Sequence, residues 1–110
     1  MANERFDVDL PEVVAHTAYY AMYHAATAVL VENNIPVPKT HSGVITRLSQ
    51  LDREQSIGAR TEVARLSRGL ERRLIADYDT EDILTAEHAQ RAREDAAVFV
   101  AFCEGLVGAK

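Results

Sequence analysis

Between Pro11 and about Asn33 the chain gives a helix no reason to stop. The one proline stands at the start, where a first helical turn tolerates it, and no glycine interrupts the run. Val14, Ala18, Ala21, Ala25 and Ala28 recur at helical spacing, with Met22 and Val29 beside them. Alanine on such a face lets another helix approach closely. Asp9 is the expected N-cap, with Glu12 near the positive end of the helix dipole. "NNIPVPK" is the expected stop, because asparagine tolerates left-handed backbone and two prolines hold an extended connection.

Helical patterning continues downstream. Thr40 is placed to cap a second helix through Leu51, with Val44, Ile45, Leu48 and Leu51 on one side. "DREQS" reads as a polar link. A third helix is expected from about Ile57 to Asp77, with Val63, Leu66, Leu70 and Leu74 as its apolar stripe and Gly69 as a local weak point. After "DYDTEDILT", Thr85 is the expected cap of the last helix, with Leu84 placed to staple onto Ala89. Ala89, Ala92, Ala96, Phe99, Cys103 and Leu106 share one face of that helix. With only 5 glycines and 3 prolines in 110 residues, long helices are favoured over many short strands. The pattern predicts an all-α, antiparallel up-and-down helical bundle of three long helices and one shorter one. It forms a single domain over residues 1–110, with 1–10 irregular.

The formal charge of -5 disfavours non-specific nucleic-acid binding at long range, although a local basic face can still bind phosphate. A lone Cys103 excludes an internal disulfide and suits a reducing compartment, so a cytoplasmic location is expected. No apolar run approaches the ~18 residues that suggest a membrane span, and MANERFDVDL lacks the apolar core of a secretion signal.

The polar rings of the first helix carry the chemistry. His16, Tyr19, Tyr20, Tyr23 and His24 fall in nine positions, in a chain with only 4 histidines and 4 tyrosines. Residues four apart share a helix face, so His16, Tyr20 and His24 stack in one line, and Tyr19 and Tyr23 form a neighbouring line. Either these rings satisfy one another inside a helix interface, or they line a cleft where His24 does acid–base work near neutral pH. His16 and His24 are about 12 Å apart along the axis, too far to share one metal ion, and neither a metal nor a cofactor is expected.

Two further features each have two readings. His41, in the first turn of the second helix, is expected to stay neutral beside the helix dipole. It is either a surface residue near a cap or part of a phosphate site built on exposed amides, with Gly43 giving clearance. Arg65, Arg68 and Arg72 share a face of the third helix. That face either holds RNA phosphates or is solvated and balanced by Glu62, Glu71 and acids of other helices. Arg73 lies on a different line and is expected to pair with Asp77 as a structural contact.

Three segments together, "AYYAMYHAATAVL" (18–30), "KTHSGVI" (39–45) and "RLIADYD" (73–79), resemble the HEPN domain in their order and spacing. The closest likeness is to the short prokaryotic members, and "LTAEHAQRAREDAAVFV" (84–100) suits the last helix of the family. The resemblance implies a helical bundle that dimerises. It also implies ribonuclease activity in many members, and in several a small nucleotidyltransferase-type partner in a toxin–antitoxin arrangement. In the family, an arginine followed four to six residues later by a histidine lines a cleft near the dimer axis, and RNA is cut without a metal. The histidine can move the proton of the attacking 2′-hydroxyl, and the arginine can stabilise the added negative charge.

His24 matches the motif histidine, but Thr17 stands where the arginine is expected, and Ala18 and Tyr19 fill the alternative positions. Losing such an electrostatic stabiliser commonly costs ~10²–10³ in rate. Arg5 lies too far back in sequence. A partner subunit can supply an arginine in space, or a protonated His16 can act as donor. Relatives of this group usually carry a full helix before the "AYYAMYH" helix, so an apolar groove covered by a second copy or a partner helix is expected here.

Two functions follow. In the first, the chain is a HEPN-like helical binding module with a degenerate ribonuclease motif, working as a homodimer or with a nucleotidyltransferase-type partner. In the second, it is an active metal-independent ribonuclease using His24, with His16, Tyr20 or His41 in support and an arginine from elsewhere.

Overall fold

The computed structural model describes residues 10–78 and 85–108. They form four α-helices: α1 (Pro11–Glu32), α2 (His41–Gln55), α3 (Arg60–Tyr78) and α4 (Ala86–Gly108). The three long helices have 22, 19 and 23 residues and the shorter α2 has 15, and no strand occurs among the described residues.

Side-chain pairings fix the helix directions. Asp95 of α4 meets Arg72 late in α3, whereas Cys103 lies within electrostatic reach of Glu62 at the start of α3, so these helices are antiparallel. Arg73 meets Tyr20, and the earlier Gly69 meets Met22, so α3 is also antiparallel to α1. The three long helices therefore alternate up, down and up, with α4 packed along most of α1. The short α2 packs against α1 and α3.

The connection from α1 to α2 does more than reverse the chain. Asn34 takes left-handed backbone (φ 59°), Ile35 N–H donates to Leu30 O at 2.9 Å, and Asn33 Nδ2 donates to Val29 O at 2.8 Å. Residues 35–38 then carry no helical or strand assignment and bring His41 back beside Tyr19 and Tyr23 in mid-α1. The return from Glu32 to the level of Tyr20 is ~18 Å of helix, within reach of eight extended residues at ~3.3 Å each.

Local signals account for most boundaries. Thr40 Oγ1 accepts from Gly43 N–H at 3.0 Å, and a Cβ on Gly43 would come within 2.8 Å of Pro38 Cβ, so this glycine gives the cap its clearance. Thr85 Oγ1 accepts from His88 N–H at 3.2 Å while His88 Nδ1 accepts from Thr85 N–H at 3.1 Å, a reciprocal box with histidine in the usual place of glutamate. Leu84, the expected staple residue, and Asp9, the expected cap, lie outside the described residues. Leu10 occupies the cap position of α1, in extended backbone.

Two boundaries differ from the sequence expectation. α2 continues one turn past Leu51 to Gln55, where Ser56 ends it in left-handed backbone (φ 51°). α3 begins at Arg60 rather than Ile57, because Gly58 (φ 75°) turns the chain and Asp52 Oδ1 accepts from Ala59 N–H at 2.9 Å.

The core is continuous. Tyr19, Met22, Ala26, Val29 and Leu30 of α1 pack with Val44, Leu48 and Leu51 of α2, Leu66 of α3, and Ala92, Ala96, Phe99 and Cys103 of α4. Each large apolar side chain enclosed there contributes about 1.5–3 kcal/mol from burial. The expected stripe of α4 is the observed one. The expected alanine stripe of α1 is displaced: Ala18 is buried, Ala25 is half-buried, and Ala21 and Ala28 are exposed on the seam with α4. Val14, Met22 and Val29, expected on that face, are buried, and Tyr19 and Ala26 join them in the core line. Gly69, weak in helix propensity, is also a contact point. A Cβ there would stand 2.4 Å from Met22 Cε and 3.3 Å from Tyr19 Cδ1, so glycine lets α3 close on α1.

Candidate functional site

The rings of α1 converge on one residue from α2 and one from α3. Tyr19 is fully buried, Tyr20 and Tyr23 are half-buried, and His16 and His24 are exposed. His16 and Tyr20 rings lie 4.8 Å apart and Tyr20 and His24 rings 6.1 Å apart, so the stacked line expected from four-residue spacing is present. His41 lies against the neighbouring line. Its ring is stacked on Tyr23 at 4.5 Å and on Tyr19 at 5.4 Å, and is edge-on to Tyr20 at 6.0 Å. The Arg73 guanidinium completes the cluster, 5.4 Å from the Tyr20 ring centre and 5.9 Å from that of Tyr19, within cation–π range.

One hydrogen bond sets the protonation pattern. Tyr19 Oη and His41 Nδ1 are 2.8 Å apart. Burial pushes the Tyr19 phenol up to about 12, against a smaller opposing pull from Arg73, so the hydroxyl keeps its proton. Burial and then the Arg73 charge hold His41 below the ordinary imidazole range, so its ring is neutral near pH 7. The neutrality expected from the helix dipole is therefore present, with burial and Arg73 as its main causes. A protonated phenol can donate to Nδ1 or accept from it, so the direction of this bond and the imidazole tautomer are set together. His41 thus places a neutral imidazole beside a guanidinium and aromatic faces.

The remaining candidates occupy other places. His24 stands on the exposed edge of α1, its carbonyl accepting from Thr27 Oγ1 at 2.8 Å, and Thr17 is exposed on the same helix. Arg65, Arg68 and Arg72 gather on a single carboxylate, Asp95 of α4, at 3.5, 3.6 and 3.0 Å. Arg65 also pairs with the buried Glu62 at 2.8 Å. This face is a cross-helix clamp carrying more cation than anion. The expected Arg73–Asp77 pair cannot be followed, since the Asp77 side chain lies outside the described residues. Among the described residues, no three histidine, cysteine, aspartate or glutamate side chains are grouped to hold a metal ion. No helix there is long and apolar enough to cross a membrane.

Sequence reasoning singled out Arg73 for a pair with Asp77 and did not connect it with the rings of α1. The available signal was its spacing of four from Gly69, which puts it on the line that faces α1 and not on the Arg65–Arg68–Arg72 line.

Comparison with known proteins agrees with this architecture. The chain matches the family model for the HEPN domain over residues 1–106. It is also 32% identical over 99 residues to a UPF0332 protein of Archaeoglobus fulgidus, an alignment covering 90% of this chain and 78% of the relative. The match spans the segments that supply the ring stripe, His41 and Arg73, and the chain belongs to the HEPN family.

Proposed function

We propose that this chain is an RNA-binding module of the HEPN family with a degenerate ribonuclease centre, acting in the cytoplasm as a homodimer or with a nucleotidyltransferase-type partner in a toxin–antitoxin-like pair. The observation that carries this reading is the Tyr19–His41 hydrogen bond beside Arg73. A guanidinium attracts phosphate, and the partly buried rings of Tyr20 and Tyr23 beside it supply aromatic surface for bases. An imidazole whose proton affinity is lowered by burial and by Arg73 is a poor base, and Thr17 withholds the local arginine from His24. The arrangement is suited to holding RNA more than to cutting it.

The alternative is a metal-independent ribonuclease in which His24 moves the proton and Arg73 steadies the phosphate. Its support is the ring path from Arg73 over Tyr20 to His24. Labelled single-stranded RNA incubated with the protein in EDTA, beside His24→Ala, separates the two. The binding reading expects intact RNA with both proteins. Cleavage that survives EDTA and disappears in His24→Ala overturns it in favour of the enzyme.

A further inference from the structure

The side of α3 that faces α4 carries a cation cluster of its own, apart from the rings of α1. Arg72 Nη1 donates to Asp95 Oδ2 at 3.0 Å, and Arg65 Nη1 donates to Glu62 Oε1 at 2.8 Å. These are two hydrogen-bonded pairs, one guanidinium to each carboxylate. Arg68 is the third cation. Its guanidinium stands 3.6 Å from Asp95 Oδ1, beyond hydrogen-bond length, and its side chain is 49% exposed. Glu71, exposed on the same helix, joins none of these pairs among the described residues. Three guanidinium groups against two carboxylates leave one positive charge, in a chain whose formal charge is -5.

The position of that surplus decides what the cluster can do. A clamp between two helices needs one cation for each carboxylate, and Arg65 and Arg72 already meet that need. A further cation beside them adds like-charge repulsion. Here it is the outermost of the three, over a carboxylate whose side chain is only 16% exposed. The enclosed Asp95 draws all three guanidinium groups together from the inner side, and each has five N–H donors, so most donors remain available to an anion arriving from solvent. Their order is imposed within the chain before any ligand binds, which lowers the entropy cost of binding.

We infer that Arg68, with Arg65 and Arg72 held beside it by Asp95 and Glu62, is a contact site for an RNA backbone phosphate on the α4-facing side of α3. Planar guanidinium forks suit phosphate oxygens. The aromatic rings of α1 flank Arg73 and not this cluster, so the contact is to the backbone and reads no base. Arg72 and Arg73 leave α3 at one level, ~100° apart around its axis, so one strand can engage both sites. This inference rests on the RNA-binding reading of the proposed function and adds a sequence-independent contact to it.

Labelled oligouridylate and oligoadenylate are titrated into the full chain across a salt series, as wild type, Arg68→Gln and Arg68→Lys, with circular dichroism confirming helicity. Arg68→Gln is expected to weaken both RNAs alike, about three-fold or more at low salt, and to cut the salt slope by about 0.7, the share of one single-strand phosphate contact. Arg68→Lys keeps the charge and is expected to keep most of the slope. An unchanged slope in Arg68→Gln, or a loss confined to one of the two RNAs, overturns the inference. So does a wild type that binds polyglutamate in place of RNA. A second readout needs no variant: the guanidinium Nε–H resonance of Arg68 in the wild type is expected to move as RNA is added, and a stationary resonance in a protein that binds RNA overturns the site. Arg73→Met in the same series separates the two readings. Loss there with none in Arg68→Gln sinks this contact alone, and the reverse leaves this contact standing without the ring cluster.

Discussion

The Tyr19 hydroxyl is hydrogen-bonded to His41 Nδ1 across 2.8 Å, joining the middle of the first helix to the first residue of the second. The two groups are 22 positions apart in sequence, and the bond holds the imidazole against the first helix. Tyr19→Phe retains the ring and removes the hydroxyl. It is expected to lower stability by about 0.5–1.5 kcal/mol, read as a shift in chemical denaturation midpoint at unchanged slope. An unchanged midpoint would show that the bond is not made in solution.

His41 gives the pH dependence a definite sign. Its folded affinity for protons is below that of the unfolded chain, so the unfolded state takes up the proton first as pH falls. The contribution is fully present above about pH 6.5 and is lost as pH falls through the lower folded value. Thermal melts from pH 7.5 to 5 are expected to show falling stability, with a shallower fall in His41→Gln. Equal slopes in the two proteins would remove His41 from the account.

Asp95 holds three arginines, so its replacement tests the basic face directly. Asp95→Asn keeps shape but removes the charge opposite Arg65, Arg68 and Arg72. A loss of about 1–3 kcal/mol is expected, discounted by the half-exposure of Arg68. If the released guanidinium groups can reach phosphate, affinity for RNA at low salt rises in the same variant and the salt slope steepens. Unchanged affinity would make the face purely structural, as would unchanged affinity in Arg65→Glu/Arg68→Glu.

Gly69→Val tests the close approach of α3 to α1. The new side chain must displace Met22 and press on Tyr19, so a loss of about 1–3 kcal/mol from overpacking is expected. Gly69→Ala sets a helix-propensity gain of about 1 kcal/mol against a smaller clash, and is expected to be much less harmful. A harmless valine would mean that the helices are farther apart than described.

Much of this fold was legible in the sequence because helical periodicity is a local signal. The apolar line of α4, the caps at Thr40 and Thr85 and the stop at Asn33 were readable from neighbours alone. The core face of α1 was harder. Alanine occurs on both sides of that helix, and Tyr19 reads as polar until His41 is seen to satisfy its hydroxyl. The overrun of α2 past Leu51 was hidden because "DREQS" is polar yet made largely of good helix formers. Of the site, the ring line on α1 follows from spacing. The arrival of His41 depends on how far the proline connection runs back along α1. The arrival of Arg73 depends on the clearance at Gly69. Both are facts of tertiary packing.

The central claim, that the ring and guanidinium cluster holds RNA without cutting it, is tested most directly by fluorescence anisotropy with labelled single-stranded RNA at fixed salt. Wild type is compared with Arg73→Lys and Arg73→Met, and the RNA is recovered afterwards and sized. The account predicts intact RNA throughout, binding weakened about ten-fold or more in Arg73→Met, and partial retention in Arg73→Lys, which keeps the charge but loses the planar fork. Equal affinity in all three folded proteins, or RNA recovered in pieces, would contradict it.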